Sequence, residues 1–546
     1  MAEAVTSLDS VLVQIGDLGK YQILVFTLVS FAVVLHSAVH TAFVFTALDV
    51  GHRCAIPECD QPQPEFQPTW LSNAVPFRGT TPTKCEHYIF NSSSSNNDTC
   101  SANNFDRNRI VSCSSFVYKT EEKSILQEYN LQCDDNLWKL TMVGTLNSFG
   151  QLCGLFIGGI ISDRYGRKVV LIWGMVLTGV CGIIRAFMPT YEWFMFFEFL
   201  DAAFGAGTYI CGFVLGVELV SPKRRVLTGI ISSSCFAAGE VFTAASAWLV
   251  KSWKPLIFIL YSPAFLLISY IWLVPESVRW HLSKGRLEEA KATLRKAAEF
   301  NGKELSENIL EKLGSPESVE GNRNEGEFMK ALKSTTLFLR LVNCCFCWIT
   351  CTFLFYGLTL NSVSLAAGNS YLDFILTALI EIPAYICCTF MLDLMGRRKA
   401  VSGSYLVTGL ACSAFVFVPP DSHVGSLTVY LIGKFGATAA FTNLYVITSE
   451  MFPTNLRHSF MGLCSTFGRI GSMLAPQMPI LANIWVHLPV LSFSIMSFVA
   501  ALLTLLFPET SDINLPDTIE EAENISQLSK KLPEKLEKYS QKVSSL

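Results

Sequence analysis

Charged side chains are scarce in this sequence. Asp, Glu, Lys and Arg make up 16% of its 546 residues, against about 25% in an ordinary soluble domain. With 51% hydrophobic residues and a mean hydropathy of +0.38, such a chain cannot cover a globular surface of its own size. Long basic tracts are also missing, and a net charge of −4 with a pI near 6.1 gives no reason to expect a nucleic-acid partner. The eight histidines fall at no metal-ligand spacing, and H-E-x-x-H, G-x-S-x-G and Walker loops are absent. Hydrolases, zinc enzymes and nucleotide-driven pumps therefore lack their parts, and no cofactor or resident metal is expected. A cleavable leader is not expected either, because the first apolar run follows a segment containing Glu3, Asp9 and Asp17 and is too long for a signal h-region.

What the sequence does have is apolar runs of about 20 residues, the length a helix needs to cross roughly 30 Å of hydrocarbon. Twelve can be counted, near 21–48, 140–161, 169–187, 193–217, 226–250 and 256–274, then 336–360, 371–392, 400–418, 427–449, 460–481 and 486–507. The reading is an all-α membrane protein with segment 1–20 before the first helix, a loop at 49–136, helices two to six within 137–275, a helical loop at 276–335, a second six-helix half at 336–508 and a tail at 509–546.

Two hydrophilic segments fix the topology. Segment 49–136 contains Cys54, Cys59, Cys85, Cys100, Cys113 and Cys133 with the sequons at Asn91 and Asn97, and disulfides and N-glycans both require the secretory lumen. It should face outward, with its cysteines paired and its sequons glycosylated. Segment 276–335 and the short connections bearing Arg164, Arg167, Lys168, Lys223, Arg224, Arg225, Arg397, Arg398 and Lys399 lie on the opposite side, which the positive-inside rule makes cytoplasmic. An even number of spans brings both termini there, so the sequon at Asn524 should stay bare. The remaining cysteines, including Cys344, Cys345, Cys347 and Cys351, read as small buried hydrophobes.

An internal repeat decides the architecture. Asp163-Arg164-Tyr165-Gly166-Arg167 follows span two, and Asp393-Leu394-Met395-Gly396-Arg397 follows span eight. Glu218 and Arg225 after span four recur as Glu450 and Arg457 after span ten, and Pro275-Glu276-Ser277 recurs as Pro508-Glu509-Thr510. Three unrelated features repeat at nearly one offset, so the chain is a duplicated six-plus-six bundle.

The Asp-Arg-x-Gly-Arg-Lys loop resembles the signature of the major facilitator superfamily. His52-Arg53-Cys54, the six-cysteine outer loop, Pro275-Glu276-Ser277-Val278-Arg279-Trp280, the Glu-x6-Arg pairs and Pro508-Glu509-Thr510 with Leu515-Pro516-Asp517-Thr518-Ile519 are similar to the organic cation, organic anion and carnitine transporter family. The resemblance implies a pseudo-symmetric bundle working by alternating access, and a gating role for Asp163, Arg164, Gly166, Arg167, Glu218, Arg225, Asp393, Arg397, Glu450 and Arg457. Charge-assisted bonds among them across the two halves would hold the inside closed.

Ionisable residues deep in spans are costly and become candidates for the substrate site, near the bilayer midplane. Arg469 in span eleven stands where the family's cation carriers tend to have an acidic residue and its anion and carnitine carriers have Arg; it would pair with a substrate carboxylate. Glu240 in span five and Glu381 in span eight suit a cation. Glu381 with Tyr385, and Lys434 with Phe441 and Tyr445, resemble the carnitine branch, while Phe355 and Tyr356 face the same region in relatives and could box a quaternary amine. Gly205 stands near the place where sodium-coupled carnitine relatives have Gln, so sodium coupling is not expected. His36, with His40 one turn on, reads as a core histidine with proton sensing as its alternative. Glu198, Asp201 and Arg185 are candidate rim groups.

Together these residues suggest a polyspecific plasma-membrane carrier of small organic ions, with cations and carnitine- or betaine-like zwitterions as first reading and organic anion exchange as the alternative. A receptor or adhesion protein displaying the outer loop is the reading from another class. Ser544-Ser545-Leu546 fits a C-terminal ligand of PDZ domains.

Overall fold

The structure is a computed structural model that describes every residue except 1–7, 17, 79–80, 92–99, 222–223, 306–323, 366–367, 420–421, 512, 514 and 526–546. Asn97 and Ser544–Leu546 therefore lie outside the described residues. Nine helices among the described residues are long and apolar enough to cross a membrane: Lys20–Thr46, Asp134–Tyr165, Arg167–Arg185, Tyr191–Glu218, Arg225–Val250, Trp253–Leu273, Thr335–Leu360, Ser370–Met395 and His423–Met451. Arg397–Phe415, Arg457–Leu474 and Leu488–Thr504 complete two sets of six. The first two of these begin with basic residues and carry several hydroxyls, and the third is short, which lowers their apolar signal.

The halves pack alike. Span four holds spans two and three, and span one lies on span five; in the second half span ten holds spans eight and nine, and span seven lies on span eleven. Between halves, span two meets span eleven and span five meets span eight, a pairing that maps onto itself when the halves are exchanged. Each half has its own hydrophobic core. Close approach in the first half is set by glycine. A Cβ at Gly154 would collide with the Ala203 backbone, and one at Gly158 would sit 3.5 Å from Gly207 Cα, whereas Gly159 faces open space and plays no such part.

Two spans are interrupted near a proline. Span eight is split at Ile380 into Ser370–Leu379 and Glu381–Met395. Pro383 has no N–H to return to the Leu379 carbonyl, so the ladder is interrupted there and Glu381 opens the second segment. Span six passes through a 3-10 stretch at Ser262–Ser269 that follows the same logic with Pro263.

The outer segment has a small core of its own around Cys54, Ile56, Leu71 and Phe105. Strands His52–Cys54 and Phe116–Tyr118 pair antiparallel, as do Glu86–Phe90 and Phe105–Ser112. Disulfides join Cys54 to Cys113, Cys59 to Cys100 and Cys85 to Cys133. A domain this small buries too little apolar surface to hold itself without such cross-links. Arg53 is fully buried and donates to both oxygens of Asp60, at 3.0 and 2.7 Å.

Candidate functional site

Four sequence candidates, Lys434, Glu381, Phe355 and Tyr385, converge at one point of the second half. Lys434 Nζ lies 2.8 Å from Glu381 Oε1, with both side chains fully buried. The ammonium also donates to Thr359 Oγ1 at 2.6 Å and to the Phe355 carbonyl at 3.2 Å, and sits 3.6 Å from the centre of the Phe355 ring. Tyr385 donates its hydroxyl to Glu381 Oε2 at 3.0 Å. Lys434 thus neutralises Glu381, so the pair adds little net charge. This differs from a reading in which Glu381 offers a free carboxylate.

Glu240 is different. It is buried on span five, faces Glu381 across the interface between halves, and its Oε2 has no hydrogen-bond partner among the described residues. Arg469, on span eleven, donates from Nη1 to Gln151 Oε1 of span two at 3.0 Å and has Tyr356 beside it. Both neighbours are neutral. No carboxylate among the described residues lies within ion-pair distance of Arg469, which leaves an uncompensated guanidinium on one side of the centre and, on the other, a Glu240 carboxyl that shares Lys434 with its neighbour Glu381.

Aromatic rings fill the space around them. Phe355 and Tyr356 are 5.3 Å apart, Phe355 and Phe441 5.0 Å, and Phe441 and Tyr445 5.3 Å. Trp348 packs edge-on against Tyr445 at 4.5 Å. From the first half, His40 stacks on Tyr356 at 5.8 Å, and His36 stacks on Tyr209 at 6.3 Å. Gly205 leaves room for Thr178 and His36, which occupy its surroundings. Gln151, Trp348, Tyr209 and Phe236 belong to this centre too, and sequence reasoning missed them because a neutral amide or an aromatic inside an apolar span carries no signal that separates lining from packing.

The cytoplasmic motif residues do not form one site. Asp163 pairs with Arg167 at 3.1 Å inside its own loop, Arg225 pairs with Asp9 at 2.6 Å, and Arg397 lies 3.5 Å from Glu450. Each pair stays within one half, unlike the expected bonds across halves. Arg164 lies over the Tyr165 ring, and Arg457 keeps Nε and Nη2 buried and without a hydrogen-bond partner among the described residues. Asp393 has no hydrogen-bond partner among the described residues. The repeat nonetheless has a visible structural use. Gly166 and Gly396 adopt φ of +111° and +80°, turning the chain sharply between helices. Glu276 then accepts from the backbone N–H groups of Arg167 and Lys168, both at 3.0 Å, and Glu509 accepts from those of Arg397 at 2.8 Å and Arg398 at 3.3 Å. Each carboxylate caps the next helix. Ser277 donates to Glu218, and Thr510 donates to Glu450 at 2.6 Å, so the three repeated features form one cluster in each half.

Hydrogen bonds between the halves gather on the outer side of this centre. Gln477 bridges Thr141 and Thr145, at 3.0 and 2.6 Å, Thr145 donates to the Met473 carbonyl, and Ser148 donates to the Ser472 carbonyl at 3.1 Å.

Residues 127–476 match the Major Facilitator Superfamily. The chain is 30% identical to mouse "Solute carrier family 22 member 3" over 95% of its own length and 96% of the relative's. It is also 30% identical to human "Solute carrier family 22 member 2", with 95% and 96% covered, and to the Drosophila melanogaster "Organic cation transporter protein", with 94% of each covered. The xylose transporter XylE from E. coli, in a partially occluded inward open conformation, superposes with a TM-score of 0.60 at 14% identity, covering 91% of this chain and 100% of that one, and bears on the fold alone. The chain belongs to the organic cation, organic anion and carnitine transporter family of the Major Facilitator Superfamily.

Proposed function

We propose that this protein is a polyspecific carrier of small organic ions across the plasma membrane, working by alternating access, and that it takes organic cations and zwitterions of the carnitine or betaine kind. Relatives named as organic cation transporters support the cation part. The observation that carries the zwitterion is the central charge layout: a guanidinium at Arg469 with only neutral neighbours, a carboxylate at Glu240 with an unpartnered oxygen, and between them the rings of Phe355, Tyr356, Phe441 and Tyr445. A carboxylate would bind Arg469 while a quaternary amine lies against the aromatic faces. Lys434 and Glu381 act as a preformed pair that orients Tyr385 and Phe355. The outer contacts of spans two and eleven support an inward-facing arrangement, in which Asp163, Arg164, Gly166, Arg167, Glu218, Arg225, Asp393, Arg397, Glu450 and Arg457 wait to close the cytoplasmic side. Organic anion exchange is the second reading, favoured by the absence of a carboxylate partner at Arg469 among the described residues. Competition against labelled carnitine tests the choice. A quaternary amine and a betaine should both compete and a dicarboxylate should not; competition by the dicarboxylate alone would favour the anion reading.

A further inference from the structure

Arg185, Glu198 and Asp201 are not rim groups. All three are buried within the first half, at most 3% exposed, although Arg185 ends span three near its outer end. Arg185 Nη1 donates to Glu198 Oε2 and, at 3.1 Å, to Asp201 Oδ2, and Nη2 donates to Tyr261 Oη of span six at 2.9 Å. Its Nε has no partner among the described residues. Two carboxylates facing one guanidinium carry a net charge of −1 when both are ionised, which is costly for buried groups. A single proton removes it.

The hydrogen bonds say where that proton belongs. Arg469 can only donate, so Gln151 presents its carbonyl there and turns its amide nitrogen to Asn147 Oδ1 at 2.8 Å. Asn147 must then donate onward, to Glu198 Oε1 at 2.7 Å. Both oxygens of Glu198 are thereby committed as acceptors, and Glu198 stays ionised. Asp201 is left as the proton's seat. Tyr261 lies 2.6 Å from Asp201 Oδ2 and 3.3 Å from the Val39 carbonyl of span one, but it has one hydroxyl hydrogen for two acceptors. With Asp201 ionised the hydrogen points to Asp201; with Asp201 protonated it can turn to Val39, between His36 and His40 on span one.

We infer that Asp201, held by Arg185, Glu198 and Tyr261, is a proton-binding site that couples substrate movement to proton movement, with Asn147 and Gln151 linking it to Arg469. The inference rests on Arg469 as the partner of a substrate carboxylate. Such a carboxylate competes with Gln151 for the guanidinium and weakens the donor chain that helps the Glu198–Asp201 pair bear two negative charges beside one guanidinium, so the pair holds its single proton more tightly. Substrate and proton then favour each other's binding, by reciprocity, and travel in the same direction. The step forms one O–H bond on Asp201 with a proton taken from water on one side and returns that proton to water on the other, with no redox change. Other titratable groups facing the cluster are Cys181 on span three, Tyr191 on span four and Tyr129 from the outer segment, while His36 lies near Thr178 and His40 beside Gln151.

The test uses the purified full chain in proteoliposomes. With an acidic outside, wild type should accumulate labelled carnitine about tenfold per pH unit of gradient at one-to-one stoichiometry. Asp201→Asn should lose this accumulation while retaining carnitine counterflow, and Tyr261→Phe, which keeps the ring, should lose it as well. Carnitine uptake indifferent to the gradient in wild type would overturn the inference and leave the carrier reading standing. Should carnitine not be carried at all, that reading fails, and the infrared band of a protonated carboxyl in the purified chain decides the proton site separately. The band should vanish in Asp201→Asn; its absence from wild type across the acidic range would overturn the site.

Discussion

Arg469 and Lys434 are both cations inside a membrane, and their surroundings give them opposite tasks. Lys434 has a fully buried carboxylate at 2.8 Å, and removing one partner of such a pair strands the other at a cost of about 3–5 kcal/mol. Lys434→Met alone should therefore reduce folded protein at the membrane, and adding Glu381→Gln should restore it; equal loss in single and double variants would contradict the pairing. Arg469 has no such dependent. Arg469→Ala should leave surface expression intact, abolish uptake of carboxylate-bearing substrates and spare part of the uptake of a quaternary amine. Loss of every substrate alike would make it structural. The charged members of this centre were legible in the sequence because an ionisable residue inside an apolar span stands out. Their partners were not, since nothing in the chain joins Lys434 to Glu381 or Arg469 to Gln151 except the folded bundle. Likewise Glu198, Asp201 and Arg185 looked like rim groups because they lie near span ends, and only the packing of Tyr261 and Asn147 over them encloses them.

Among elements, the clearest gain from the structure concerns the repeated Pro-Glu-Ser/Thr motifs. The sequence revealed that they repeat, but not that Glu276 and Glu509 reach back more than a hundred residues to cap the helices opened by Arg167 and Arg397. Burial acts to raise the Glu509 pKa, yet the hydrogen bonds from Ser511 and from the N–H groups of Arg397, Ser511 and Arg398 outweigh it, and the net shift is downward. A carboxyl lowered in the folded state stabilises it above the ordinary carboxylate range and loses that contribution as pH falls through the lowered value. The cap is thus intact at neutral pH and is released as pH falls below the ordinary carboxylate range. Glu509→Gln should cost ~1 kcal/mol, the order of a lost helix cap, and speed hydrogen exchange in the first turn after Gly396. Unchanged exchange there would remove the capping role. In the outer domain, replacing Cys85 and Cys133 by Ser should cost ~2–5 kcal/mol and lower surface delivery, measured by cell-surface labelling.

At the scale of the whole molecule, the six-plus-six repeat was readable because the cytoplasmic motifs recur at nearly one offset. Which side of the bundle is closed was not, since a sequence is the same in every state of its cycle. Here the halves join on the outer side through Gln477, Thr141, Thr145 and Ser148, and in the Asp163–Arg167 pair the Asp163 side chain is 76% exposed while that of Arg167 is mostly covered. On the proposed gating role, bonds between halves at the cytoplasmic ends would form only in the opposite state. A charge-assisted bond is worth ~1.5–3 kcal/mol, so Asp163→Asn should shift the carrier further toward the inward-facing state, roughly tenfold or more. Turnover should slow more than substrate binding weakens, and cysteines placed along the cytoplasmic ends of spans two and eleven should label faster; unchanged labelling and turnover would sink the gating role. The topology is tested by glycans, which should form at Asn91 or Asn97 and never at Asn524.

The central claim is that this chain moves organic ions by exposing one midplane site to each side in turn. Counterflow measures that directly: proteoliposomes holding the purified protein are loaded with unlabelled carnitine and diluted into a trace of labelled carnitine without any ion gradient. The account predicts a transient uptake of label well above equilibrium, competed by a quaternary amine and absent in Arg469→Ala. Label that never exceeds the protein-free level, with the protein folded and its outer loop displayed, would contradict it and favour a receptor.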